Sequence, residues 1–96
     1  AGLCVTCEVT PHHLFLSTED LRRVGTLAVT MPPVRDKLTA EALWDGVRDG
    51  SVDIIASDHA PHALAEKEAE KVWDVKVGVP GLETTLPLLL TEVRRG

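Results

Sequence analysis

Asp58, His59 and His62 stand within five positions at the end of the stretch DIIASDHAPHA, residues 53–63, where an apolar run gives way to groups that bind metals or move protons. A second such place is CEVTPHHL, where Glu8, Thr10, His12 and His13 follow a β-branched run. A carboxylate at the end of a buried strand is costly unless it is paired, hydrogen-bonded or coordinated to a cation. A divalent metal removes that cost and activates water, because a metal-bound water loses its proton near pH ~7. Asp58 is therefore the leading candidate for a metal ligand and proton carrier, with Glu8 as a second carboxylate. His59 is adjacent to Asp58 and should face the other way, as a supporting hydrogen-bond partner. His62 lies beyond the strand, on a loop stiffened by Pro61. His12 and His13 read as structural histidines.

These residues need elements to hold them. Residues 3–9 and 51–57 are rich in β-branched and apolar residues and read as strands buried on both faces, as in parallel α/β sheets. Alternation along them puts Cys4, Thr6 and Glu8 on one face and Ile54, Ala56 and Asp58 on one face, so both carboxylates point toward one centre. Pro11 closes the first strand. Ser17 and Thr18, followed by Glu19 and Asp20, cap a short helix that Gly25 stops. Thr39 caps a second helix ending at Gly50, with Ala40, Leu43, Trp44 and Val47 as its apolar face and Asp45 and Arg48 outside. The charged run of residues 66–74 is a solvated face on a frayed helix or lid-like loop. Residues 75–81 form a loop punctuated by Gly78, Pro80 and Gly81. Residues 82–96 form a last helix that accommodates Pro87 in its first turns.

The order strand, helix, helix, strand, loop, helix predicts an α/β fold. Two parallel strands do not make a stable sheet, and a (β/α)8 barrel needs ~250 residues, so the 96 residues read as a piece of a larger domain. The edge at the C-terminal ends of parallel strands is where such folds place their chemistry.

Composition narrows the partners. A net charge of −5 with scattered lysines and arginines excludes a phosphate-binding stripe, so nucleic acid is not an expected partner. No apolar run approaches the ~20 residues of a membrane span, and no basic region and cleavage site of a signal peptide opens the chain. The protein is expected to be cytoplasmic. Cys4 and Cys7 form a C-x-x-C pair, but an extended backbone would turn them to opposite faces. A zinc knuckle or redox pair is therefore disfavoured, and both are expected to be small buried residues.

CEVTPHHLFL, PPVR, SVDIIASDHAPH followed by EK, and GVPGLETTLPLLL together resemble successive landmarks of the dihydroorotases of the amidohydrolase superfamily. The resemblance covers nearly the whole chain in order. It implies the last two strands, the seventh and eighth, of a partial (β/α)8 TIM barrel with their helices, residues 1–96 being a C-terminal portion of the barrel domain. It further implies a zinc-dependent enzyme, binuclear in the full-length protein, that interconverts N-carbamoyl-L-aspartate and dihydroorotate in pyrimidine synthesis. By motif, Asp58 would be metal ligand and proton shuttle, Glu8 a ligand of an additional metal, His62 a holder of the substrate carboxylate, and Gly78 part of a loop whose backbone meets the substrate ring. Met31 stands where many relatives carry Asn or Arg, and as a thioether it leaves substrate contact there to backbone groups. The H-x-H pair, carboxylated lysine and two histidines of the family's metal centre are not in this sequence, so the chain alone is expected to bind metal weakly and to be inactive. The implied protein partners are a second copy of the protein or aspartate transcarbamoylase. Three other readings follow from the same residues: a hydantoinase or allantoinase, which His62 and GLET disfavour; a non-catalytic partner of aspartate transcarbamoylase; and an independent α/β module without a site.

Overall fold

A computed structural model of the protein describes residues 2–96. Two short strands, β1 (Glu8–Val9) and β2 (Ile54–Ile55), pair in parallel with Glu8 opposite Ile54 and Val9 opposite Ile55. The ladder continues beyond them through Asp53 and Ile54 N–H to the Cys7 carbonyl and Ala56 N–H to the Val9 carbonyl. Residues 3–7 and 51–53 lie outside the regular strands, so both are shorter than the sequence suggests. Burial on both faces is also not found in this chain: Val9 is buried, whereas Ile54 and Ile55 are 43% and 37% exposed. The reason is that each strand satisfies one edge against the other and finds no further strand among the described residues. Cys4 and Cys7 are exposed free thiols rather than buried residues, for the same reason.

Between the strands run three helices. α1 (Pro11–Phe15) is an addition to the expected elements: Pro11 starts a helix instead of only ending a strand, with Thr10 as N-cap and proline's missing N–H falling where no helical bond is needed. α2 (Thr18–Val24) has the expected Ser17 cap, completed by Asp20, whose carboxylate accepts from Ser17 N–H at 3.0 Å. Gly25 ends it at φ 64°, passing into a short 3-10 turn, Gly25–Ala28. α3 (Lys37–Asp49) begins earlier than expected, because Asp36 is its cap: its carboxylate accepts from Thr39 N–H at 2.8 Å. Gly50 closes it in the left-handed region.

Buried apolar residues are spread along the chain, at Val9, Leu14, Ala28, Val34, Ala40 and Val75, and α1 packs on α3. Leu14 and Ala40 are buried there, and Trp44 packs edge-on against Phe15 at 5.3 Å while donating its indole N–H to the Leu14 carbonyl at 3.0 Å. Asp45 and Arg48 pair on the solvent side. After β2 come α4 (Leu64–Lys67), a 3-10 turn (Val72–Asp74) and α5 (Thr85–Arg95), in which Pro87 occupies the third position. The charged run of residues 66–74 is solvated as expected apart from Ala69, which is half-buried, and one clear exception, Lys67, which is only 5% exposed. No helix among the described residues is long and apolar enough to cross a membrane.

Candidate functional site

The loops that leave β1 and β2 in the strand direction converge with residues 29–32 and 76–81. Asp58 sits just beyond β2 at φ 45°, the single non-glycine residue with positive φ among those described. That conformation interrupts the strand alternation at Asp58, so the parity argument that aligned its side chain with Glu8 does not extend to it. Glu8 and Ile54 are cross-strand neighbours, and Glu8 is exposed. Among the described residues no three His, Cys, Asp or Glu side chains group as a metal site.

His12, at the start of α1, is buried, and burial lowers its pKa from 6.5; His13 lowers it further, while the Asp58 carboxylate acts in the opposite direction. His12 thus lies within the field of Asp58. An apolar cleft beside it, about 190 Å³ in volume, is lined among others by Ser57, Val79 and Pro80. His13 is held on both ring nitrogens: Nδ1 meets Thr10 Oγ1 at 2.6 Å, and Nε2 donates to the Pro32 carbonyl at 2.9 Å. Thr30 Oγ1 donates to the same carbonyl at 2.8 Å. The Met31–Pro32 segment is fixed in this way through its backbone, and the Met31 side chain is 69% exposed.

His59 does what its position next to Asp58 suggests. Its Nδ1 accepts from Gly81 N–H at 2.9 Å and Leu82 N–H at 3.3 Å, which leaves the proton of the neutral ring on Nε2. The His59 ring thereby ties the aspartate loop to the start of the GLET segment, where Thr85 Oγ1 donates to the Gly81 carbonyl at 2.6 Å. His62 is joined to the opposite loop: Nε2 donates to the Val77 carbonyl at 3.0 Å, and Nδ1 lies 3.8 Å from Glu66 Oε2. Ala60 N–H donates to the Val79 carbonyl at 3.1 Å.

Gly78, at φ 125°, allows this approach. A Cβ there would lie 2.6 Å from the Ala60 Cβ and 3.0 Å from its carbonyl oxygen. Its N–H donates to the Val29 carbonyl at 3.0 Å and its carbonyl accepts from Lys67 at 2.8 Å. Sequence reasoning missed Lys67, whose Nζ also donates to the carbonyls of Val29 (3.0 Å) and Lys76 (2.9 Å). Embedded in a charged run, it carried no hydrophobic or spacing signal of burial. Burial lowers its pKa.

The C-terminal edge of the parallel strands, where such folds place their chemistry, thus carries Asp58 on a loop that His59 and His62 bond to the Gly81, Leu82 and Val77 backbone. By structure the chain is similar to an L-hydantoinase (dihydropyrimidinase) from Arthrobacter aurescens, with a TM-score of 0.89 and 37% identity over 96% of this chain and 21% of that one. By sequence it is similar to dihydroorotases: it is 54% identical to that of Halobacterium salinarum over 91 residues and 50% identical to that of Methanosarcina mazei over 93 residues. These matches take in 95% and 94% of this chain but 21% and 20% of those proteins, so the chain spans about a fifth of the length of the relatives it matches. No family model matches the chain.

Proposed function

We propose that this chain forms part of a dihydroorotase, contributing the last two strands of a (β/α)8 barrel to an enzyme that interconverts N-carbamoyl-L-aspartate and dihydroorotate. The observation that carries the reading is the bonding of the DHAPH loop to the Gly78 loop, in a chain 54% identical to a dihydroorotase along nearly its whole length.

In this proposal Asp58 is the catalytic residue. Its carboxylate takes a proton from the water that attacks the ring carbonyl and delivers one to the amide nitrogen that leaves. Asp58, together with residues outside this chain, would hold zinc at a binuclear centre and Glu8 would hold one at a further site, the metal's contribution being an activated water. His62, held in place by its Nε2 bond to the Val77 carbonyl, meets the substrate carboxylate. The ring is met by backbone groups of the Met31 and Gly78 segments. His59 touches no substrate; it keeps the aspartate loop and the α5 entrance in register. In this reading the chain by itself does not turn over substrate, since a catalytic zinc site needs three protein ligands and the family's other ligands are not in this sequence.

A hydantoinase is the second reading, favoured by the structural match at a TM-score of 0.89. The test is turnover of dihydroorotate, hydantoin and allantoin by the full-length protein that carries this sequence. Preference for dihydroorotate supports the proposal; preference for hydantoin replaces it with the second reading, and no turnover of any of the three favours a non-catalytic partner of aspartate transcarbamoylase.

A further inference from the structure

Lys67 is the most deeply buried charged side chain of the described residues, at 5% exposure, and it forms no ion pair among them. Its ammonium has three protons, and three carbonyls meet them: Val29 at 3.0 Å, Lys76 at 2.9 Å and Gly78 at 2.8 Å. A charged amine is suited to this place because it donates three bonds and accepts none, whereas a neutral side chain of similar length donates fewer. The three acceptors come from two separate segments. Val29 stands two residues before Met31, and Lys76 and Gly78 belong to the glycine loop. The Val29 carbonyl also receives the Gly78 N–H at 3.0 Å, so the ammonium and the peptide close one hydrogen-bonded ring between the segments. α4, which carries Lys67, starts directly after Ala63, the neighbour of His62, and the Glu66 carboxylate accepts from Ala63 N–H at 2.8 Å, fixing the turn between them.

We propose that Lys67 is a positioning residue: its ammonium locks the Val29–Met31 segment to the Lys76–Gly78 segment, so that both present their backbone groups to one substrate ring alongside His62. This rests on the dihydroorotase reading above. The lock acts on ground state and transition state alike, so its loss should appear mainly in KM.

The test uses the full-length, metal-loaded protein with Lys67→Met, which keeps length and removes all three donors, and Lys67→Gln, which keeps two. The expected result is a KM for dihydroorotate raised about 10-fold or more by methionine and less by glutamine, with kcat changed less than about 3-fold. Equal KM values in all three proteins would overturn the proposal, as would a fall in kcat at constant KM. If the methionine variant does not fold, the glutamine variant against wild type decides by the same criterion. Hydrogen exchange without substrate gives an independent readout: faster exchange confined to residues 29–31 and 76–80 supports the lock, and unchanged exchange there overturns it. Failure of the wild type to turn over dihydroorotate counts instead against the functional reading, and the exchange experiment still decides whether the lock exists.

Discussion

The two sides of this chain are held in opposite ways. At the site edge, polar groups find partners within the chain: His59, His62, His13 and Lys67 each bond to backbone of a different segment. Elsewhere, Leu86, Leu90 and Val93 make an apolar stripe along α5 that is 63%, 52% and 76% exposed, and Ile54 and Ile55 of the sheet are also open. The contrast teaches that loop geometry around a site can be closed by hydrogen bonds within the chain, whereas apolar faces are satisfied only by buried area, which α5 and β2 do not find among the described residues.

The largest expected effect breaks the self-contained side. Gly78→Ala forces a Cβ to within 2.6 Å of Ala60 at a backbone φ of 125°, and should cost the full-length protein about 3 kcal/mol or more, measured by denaturant unfolding. An effect below about 1 kcal/mol would show that the loop is not held as described. Next comes the open side. If α5 is covered in the whole protein, Leu90→Lys should destabilise it by about 2–3 kcal/mol, while leaving the isolated chain's secondary structure by circular dichroism unchanged. Equal tolerance in both would mean the stripe faces water.

His59→Ala should cost about 1–3 kcal/mol, because Gly81 is buried and its N–H would lose its acceptor. Ser17→Ala tests ordinary helix capping at α2 and should cost about 1 kcal/mol. The smallest effect is a titration. His12 has a folded pKa below 6.5, so above that pH it is neutral in both states and carries no penalty; as pH falls, the unfolded chain takes up the proton first and stability declines. The decline in melting temperature across this range should flatten in His12→Gln.

Much of this is legible in the sequence because the signals are local. Ser17 with Asp20, Gly25 and Gly50 mark helix ends through their own backbone bonds, and Ala40, Leu43, Trp44 and Val47 declare their face by spacing. The start of α3 is ambiguous in the sequence because Asp36 and Thr39 are both good caps, and the bond that decides runs from Thr39 N–H to Asp36. α1 is hidden because a proline after a strand serves equally to end one element and begin another. At the site, the role of His59 follows from adjacency to Asp58, but the positive φ of Asp58 that breaks the alternation is a loop property with no residue signature beyond aspartate's tolerance for it. Lys67 is hidden most completely: its burial depends on carbonyls 38, 9 and 11 positions away.

In the proposed dihydroorotase, Asp58 carries the proton and residues outside this chain complete the site. Steady-state turnover of dihydroorotate by the full-length, zinc-loaded protein and its Asp58→Asn variant tests this most directly. Measurable turnover is expected in the first and a loss of at least about 10³-fold in kcat in the second; turnover that survives the substitution within about 10-fold would contradict a proton-carrying Asp58.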